Sequence, residues 1–455
     1  MVRAAIAGGG ISGLSLACML KRKGPVEPVV LEALERPGGK IRTEKADGFL
    51  CEWGVNGFLD NRARTLELAS MLSLKTVRSS DAARNRFIWL DGKLRRMPEN
   101  PKEFLRSDVL SIGGKLRIAM EPFIKPNPGD ETLAVFARRR LGREAYENLI
   151  DPMASGIFAG DPEKMSVASC FPKIKKIERK YGSLIKGMIK LGREAKKAGK
   201  GPVGAGPGGA LTSFSGGMEE IITALKGQLD GGLRLRSRAV SLEKKGKGYK
   251  IHLADGGSVE ADAVALACPA YESAGILRDF DAELSRMIGG IEYPALSVVS
   301  VAFRMEKINF PVDSFGFLVP FKEKRRILGT LFDSSIFPER APEGFLLLRV
   351  MIGGMRAQDA AMMDEEKLLN AAMDELGGIL GLRAEPDFYR IFRHEKAIPQ
   401  YPLGHGRMVE EMESRLAENH KGLYITGNAF RGIALNDCIE NSFKLAEKIV
   451  REATG

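Results

Sequence analysis

Val2-Arg-Ala-Ala-Ile-Ala7 runs straight into Gly8-Gly9-Gly10-Ile11-Ser12-Gly13, and a helix-forming stretch from Leu14 to about Arg22 follows. Pro28 to Leu31 then reads as a second short strand, ending at Glu32. Strand, glycine turn, helix, strand and acid, in that order, make a βαβ unit with a dinucleotide fingerprint, and predict an α/β fold. Gly8 permits a tight turn out of the strand, and Gly10 lets a pyrophosphate approach the backbone. Gly13, with Ala17 one turn on, lets helix and strand pack closely. The helix amino terminus offers unpaired N–H groups and partial positive charge to phosphate oxygens. Glu32, 19 residues after Gly13, suits the ribose hydroxyls of an adenosine and disfavours a 2′-phosphate. The fingerprint by itself serves NAD and FAD equally.

The rest of the chain bounds what such a unit can belong to. Its 455 residues exceed what one hydrophobic core usually serves, so two or three domains are expected. A hydrophobic fraction of 44% with 28% charged residues suits a folded protein rather than a disordered or fibrous one. Cys18, Cys51, Cys170, Cys268 and Cys438 form no CxxC pair, and His252, His394, His405 and His420 lie far apart. Neither a metal centre nor a disulfide framework is expected, and a reducing cytosol fits. Val2 opens a strand at once, leaving no room for a leader, and no apolar stretch of about 18 residues is there to cross a membrane. The net charge of +11 is concentrated, since Lys173 to Lys200 holds 11 Lys and Arg against Glu178 and Glu194. Such a segment is either a solvated face or a surface for an anionic partner.

Glu35-Arg36-Pro-Gly38-Gly39-Lys40-Ile-Arg-Thr43 continues from the βαβ unit, and Glu52-Trp53-Gly54-Val55-Asn56-Gly57 follows. Near the other end, Gly422-Leu-Tyr-Ile-Thr-Gly427-Asn428 reads as a strand ending in a glycine turn. Arg431-Gly-Ile433-Ala434-Leu435-Asn436-Asp437 then precedes a helix from about Glu440. These segments resemble the signatures of flavin amine oxidases, phytoene desaturases and protoporphyrinogen oxidases. The resemblance implies a non-covalent FAD gripped by both ends of the chain. Its contacts would be Gly8, Gly9, Gly10, Ile11, Ser12, Gly13, Glu32, Ala33, Arg36, Gly38, Gly39, Lys40, Gly54, Val55, Asn56, Gly57, Gly427, Ile433, Ala434 and Leu435. Arg36 would add charge, and the last helix would point its positive end at the flavin's pyrimidine side. A strand pair, Leu233 to Leu242 and Tyr249 to Leu253, then Val259 to Ala267, is similar to the region that meets the adenine through Val240. Asn428, where many flavoproteins have Asp, is usual in the oxidase subfamily.

The middle of the chain selects among these families. Asn85-Arg86-Phe87, Ser155-Gly156 onward to Cys170-Phe-Pro172, Phe310 to Pro320, Leu328 to Pro338 and Ala397 to His405 recur in the order and spacing of the protoporphyrinogen and coproporphyrinogen oxidases. Amine oxidases share the two ends but not these segments. The resemblance spans nearly the whole chain. It implies oxidation of a porphyrinogen, protoporphyrinogen IX or coproporphyrinogen III, in three two-electron steps with dioxygen as acceptor, in haem biosynthesis. Arg86 would meet the substrate's propionates, a task suited to a guanidinium's paired donors. Phe315 and Leu318 would sandwich the macrocycle, and Met351 would line the same cavity. The Gly156 backbone would lie at the reacting carbon, its carbonyl assisting proton removal. Each has an ordinary alternative: a surface arginine, core packing for Phe315, Leu318 and Met351, and a turn glycine. His405 is a base by type, but its place beside the carboxy-terminal segment equally suits a structural hydrogen bond, and no catalytic role is assigned to it.

Residues 1–62, 205–272 and 405–455 are expected to form a Rossmann-like FAD-binding domain. Residues 63–94 and 273–404 would form a mixed-sheet substrate domain, and 95–204 a helical domain that in the family binds membranes. Leu184-Ile185, Met188-Ile189 and Leu191 recur at helical spacing among Lys186, Lys190 and Arg193. That pattern suits an anionic lipid surface, or apolar packing on the protein itself. Gly199 to Gly209 reads as a flexible link. The family further implies peripheral attachment at the cytoplasmic face of a membrane, and a homodimer; nucleic acid is not expected. The rival readings are a carotenoid desaturase, disfavoured by the middle segments, and a noncatalytic flavin-binding or membrane-scaffold protein, disfavoured by Arg86 and the glycine motifs.

Overall fold

The computed structural model describes residues 1–197 and 208–454. The opening unit appears as β1 (Val2–Ala7), the helix Ile11–Lys23 and β2 (Val26–Leu31). β1 and β2 pair in parallel, from Val2 opposite Val26 to Ala7 opposite Leu31. Later segments complete a five-stranded sheet in the order β10 (Leu233–Arg234), β2, β1, β14 (Ala263–Leu266), β20 (Leu423–Ile425), parallel throughout. Its strands are apolar on both faces because both faces are covered. Helices Ile11–Lys23, Ala63–Met71, Glu219–Gly227 and Leu435–Thr454 share the core on one side. On the other lie helices Ala270–Leu277, Ala282–Gly289 and His405–Asn419, with a three-stranded sheet of β11 (Ala239–Lys245), β12 (Gly248–Leu253) and β13 (Ser258–Ala261).

Three readings change here. Leu233 to Leu242 is not one strand: Arg236 takes a left-handed φ of 53°, which divides β10 in the parallel sheet from β11 in the antiparallel one. Val259 to Ala267 divides likewise at Asp262, whose carboxylate accepts from the Arg3 N–H at 2.8 Å as the chain passes from β13 to β14. The last helix begins at Leu435 rather than near Glu440. Asn436 is used inside it, since it donates to the Leu59 carbonyl at 2.9 Å and accepts from Thr65 at 2.6 Å.

The second large sheet is mixed, in the order β19 (Phe388–His394), β15 (Leu296–Arg304), β18 (Phe345–Gly353), β17 (Ile327–Leu331), β16 (Gly316–Leu318), β7 (Arg86–Leu90), β8 (Lys93–Arg96). Only β16 and β7 run parallel. One face packs on the helix Glu365–Leu380. Two small sheets, β3 (Thr43–Ala46) with β4 (Phe49–Glu52), and β5 (Phe58–Leu59), β9 (Leu211–Phe214), β6 (Thr76–Arg78), join the large ones.

Residues 101–197 are helical, with Leu133–Leu141, Asp151–Phe158, Pro172–Tyr181 and Leu184–Lys197 at their centre. Their apolar core is small, and a buried ion network completes it. Lys175 lies 2.7 Å from Glu178, Arg139 2.7 Å from Glu178, and Arg140 3.1 Å from Glu121. Leu184 joins the apolar core, whereas Ile189 on the same helix is half exposed. Leu105, Ile112, Leu116, Met120 and Phe123 are more exposed still, at positions the sequence pattern did not single out. Among the described residues, no helix is long and apolar enough to cross a membrane. The link read at Gly199 to Gly209, with the boundary at 204, lies largely outside the described residues.

Candidate active site

The carboxyl ends of β1, β2, β14 and β20 open on one edge of the parallel sheet, where such sheets bind ligands. Gly8, at φ +113°, turns the chain so tightly that a Cβ would stand 2.7 Å from the Cys268 nitrogen. A Cβ at Gly13 would stand 2.0 Å from the Gly8 carbonyl oxygen, so the helix lies on the strand only because that residue is glycine. Gly10, by contrast, has nothing within 4 Å of its missing side chain, and Gly427 has only Ala267 O and Ser12 Oγ, both at 4.0 Å. Gly38 N donates to Gly9 O at 2.7 Å, which sets the second glycine pair beside the first. Ser442 Oγ donates to Ser12 O at 2.8 Å, tying the last helix to the first. The two ends of the chain therefore enclose open backbone space at a helix amino terminus, a cradle with the form a dinucleotide pyrophosphate requires.

Glu32 is buried, and its carboxylate accepts from Gly9 N at 2.8 Å and Leu34 N at 2.9 Å. Ser237 N donates to the Glu32 carbonyl at 2.8 Å, which brings the start of β11 alongside and leaves Val240 exposed there. Arg36 donates to the carbonyls of Pro37, Gly39 and Ile41, so its charge holds its own loop. The Lys40 ammonium donates to the Ala397 carbonyl and lies 4.9 Å from the Tyr293 ring centre. Gly57 is small for a local reason, since a Cβ would stand 2.6 Å from Thr212 O on β9.

The loop from Glu52 to Gly57 is held by residues that the sequence pattern did not reveal. Arg349, buried on β18, donates to Glu52 O at 3.3 Å and Gly54 O at 3.1 Å. Its Nε lies 3.7 Å from Asp333, which accepts from Asn56 at 3.1 Å. Burial pushes the Asp333 and Glu52 carboxyls up, against the pull of Arg349 and Arg340. The available signal was an arginine inside the otherwise apolar run Phe345-Leu-Leu-Leu-Arg349-Val-Met-Ile.

Register brings Arg86, Leu318 and Met351 onto neighbouring strands of the mixed sheet. Arg86 faces Gly316, and Leu318 faces Gly329, which faces Met351. Alternation puts Arg86, Leu318, Arg349 and Met351 on one face of the mixed sheet, opposite the face on Glu365–Leu380. The Arg86 guanidinium lies 4.9 Å from the Phe315 ring centre and has no carboxylate partner among the described residues. Gly156 is a helical rather than a turn glycine, in the last turn of Asp151–Phe158. A Cβ there would stand 2.7 Å from Leu318 Cδ2, so helix and sheet meet at this point. Ile433 packs on the cluster of Ala154 and Phe158 from the same helix. Through Arg349 and Ile433, the 52–57 and 433–435 segments thus meet the mixed sheet and the Asp151–Phe158 helix.

His405 stacks on Tyr401 at 4.0 Å, and its Nε2 lies 3.1 Å from Phe430 O. Burial lowers its pKa to about 4, leaving a neutral, structural imidazole. A groove of about 850 Å³ runs along the outer edge of β20, and of the expected cofactor and substrate contacts it touches only Gly427.

The family described as flavin containing amine oxidoreductase matches residues 11–450. The chloroplastic protoporphyrinogen oxidase of Oryza sativa subsp. japonica is 34% identical, over 98% of this chain and 87% of its own length. The coproporphyrinogen III oxidase of Bacillus subtilis is 29% identical, over 96% of this chain and 95% of its own. A crystal structure from Exiguobacterium sp. 255-15 superposes with a TM-score of 0.85 at 26% identity, covering 99% of each chain.

Proposed function

The chain belongs to the flavin containing amine oxidoreductase family, and from that premise we propose that it oxidises a porphyrinogen to the porphyrin, with FAD as cofactor and dioxygen as acceptor. The observation that carries this reading is the sheet face on which Arg86, Leu318 and Met351 stand opposite Gly156. Relatives named for protoporphyrinogen and coproporphyrinogen III oxidation resemble the chain over nearly its whole length, which supports it.

Gly10, Ser12, Gly39 and Gly427 would hold the FAD phosphates, Glu32 its ribose, and the 54–57 and 433–435 segments its ring end. Bound there, the flavin supplies a two-electron acceptor. The chain's own residues then bind and orient the macrocycle. Arg86, without a carboxylate partner among the described residues and backed by Phe315, offers two parallel N–H donors to a propionate. Leu318 and Met351 give a flat ring apolar contact and keep water from it. The Gly156 carbonyl lies in a last helical turn, where carbonyls run short of intrahelical partners and are free to accept a proton-bearing group.

The purified protein is expected to be yellow and to raise porphyrin fluorescence from protoporphyrinogen IX faster than autoxidation does. No gain over the enzyme-free control would sink the reading. Arg86→Ala removes a charge-assisted pair worth about 1.5–3 kcal/mol, so kcat/KM is expected to fall roughly tenfold to a hundredfold with flavin absorbance unchanged. The Bacillus subtilis relative favours coproporphyrinogen III as a second candidate substrate; the ratio of kcat/KM for the two porphyrinogens decides between them.

Peripheral attachment to the cytoplasmic face of an anionic membrane belongs to the same proposal. Its support is the exposed apolar set on 105–123, flanked by exposed Lys102, Arg106 and Lys125.

A further inference from the structure

One charged cluster ties the helix bearing Gly156 to the substrate-facing sheet, and neither the cofactor nor the substrate contacts above account for it. β18 ends at Gly353, and Gly354-Met355-Arg356 follows. Arg356 reaches both ends of the Asp151–Phe158 helix. Its Nη1 lies 2.5 Å from Asp151 Oδ1, on the helix's first residue. Its Nε and Nη2 lie 2.9 and 2.8 Å from Asp161 Oδ1, beyond the last. The other Asp151 oxygen accepts from Phe321 N at 3.0 Å, in the turn after β16, and the guanidinium lies 4.4 Å from the Phe321 ring centre.

The backbone repeats the attachment. Met355 N donates to Ala159 O at 2.8 Å, and a Cβ on Gly354 would stand 2.8 Å from the same oxygen. Ala159 itself sits at φ +49°, a conformation an alanine keeps only where its surroundings hold it. The Asp151 side chain is 5% exposed and that of Arg356 16%, so the charged hydrogen bonds are largely shielded from water.

We propose that Arg356 is a positioning residue that sets the spacing between Gly156 and Leu318, and with it which porphyrinogens the site turns over; this rests on the function proposed above. Between the clamped ends of the helix, Gly156 touches Leu318 directly, so the junction of helix and sheet that borders the site is set by one side chain. Fixing both ends leaves the helix free neither to slide nor to tilt. A misplacement of about 1 Å costs on the order of a hundredfold in rate. Lysine cannot replace the clamp, because a single ammonium does not present the guanidinium's fork to two carboxylates.

The test compares wild-type, Arg356→Lys, Arg356→Met and Asp161→Asn holoenzymes. It measures kcat and KM on protoporphyrinogen IX and coproporphyrinogen III, flavin content, and hydrogen exchange over residues 151–161. Flavin content is expected to hold. In both Arg356 variants kcat/KM should fall roughly tenfold to a hundredfold, the ratio between the two substrates should shift by more than about threefold, and exchange over 151–161 should quicken. Asp161→Asn, which loses one arm, should fall between. A purely structural role would scale apparent kcat equally for both substrates and leave KM and the ratio fixed. That outcome overturns the proposal, and so do wild-type kinetics in Arg356→Met. Should the wild-type holoenzyme leave both porphyrinogens untouched, it is the substrate reading that fails. The clamp is then judged by exchange, and unchanged protection of 151–161 overturns it.

Discussion

Lys40 lies against the Ala397 carbonyl and the Tyr293 ring, and no carboxylate pairs with it among the described residues. Burial lowers its pKa from 10.5 to about 8. Below about pH 8 the folded protein therefore holds a buried charge that the unfolded chain would hydrate. Between about 8 and 10.5 the unfolded state binds the proton and the folded state does not, so stability rises with pH across that window. The rise is on the order of 2–3 kcal/mol. Lys40→Met should remove it, which urea titrations of the FAD-free protein at pH 7.5 and 10 would check; a slope that persists in the variant rejects the assignment. Gly8 and Gly13 were legible from the chain alone, because close approach of backbone leaves glycine no substitute. Arg349, Asp333 and Arg356 were not. Their partners, Gly54, Asn56 and Asp151, lie hundreds of residues away, and nothing local marks a buried ion pair except an arginine amid apolar neighbours.

Register does the work of alignment at the level of strands. β16 has only three residues, yet it carries Leu318 between β7 and β17 and fixes its height opposite Gly156. Gly316 opens it at φ +126°, where a Cβ would stand 2.0 Å from Thr330 O. Gly316→Ala must therefore push β16 off β17, at a cost of about 2–4 kcal/mol. The parallel sheet lies outside the disturbed strands, so the expected result is normal flavin content with porphyrinogen turnover reduced at least about tenfold. Loss of flavin in step with turnover would show that the two sheets do not respond separately. The βαβ unit was readable as elements because one hydrophobic period holds through each. The 233–267 stretch was misread because two sheets share one apolar run, and only the left-handed Arg236 and the polar Asp262 mark the crossings. The Leu435 start was hidden because Asn436's donation to the Leu59 carbonyl and its acceptance from the Thr65 hydroxyl bridge 377 and 371 positions.

Three cores divide the molecule: one on each face of the parallel sheet and one beneath the mixed sheet, with the helical region attached through Ile433, Arg356 and a small apolar cluster. That helical region completes its small apolar interior with Arg139, Arg140 and Lys175 against Glu121, Glu131 and Glu178. An interior sealed by charge has no place for Leu105, Ile112, Leu116, Met120 and Phe123, which stay 58–82% exposed. Ile112, Leu116 and Met120 recur every four residues on one helical side, and Phe123 follows within a turn. Moving such side chains out of water is worth about 1–2 kcal/mol each, and neighbouring cations add about 1 kcal/mol apiece at an anionic surface. Replacing both Leu116 and Phe123 with Glu should thus weaken binding to vesicles containing phosphatidylserine by at least about a hundredfold, while flavin content and turnover of porphyrinogen in detergent stay at wild-type values. The sequence pattern pointed instead to Leu184, Ile185, Met188, Ile189 and Leu191, of which only Ile189 is exposed; Met188→Glu should have the smaller effect. Cosedimentation unchanged in the double variant would mean that this face meets water in the working enzyme and that a porphyrinogen reaches Arg86 without a membrane beneath it.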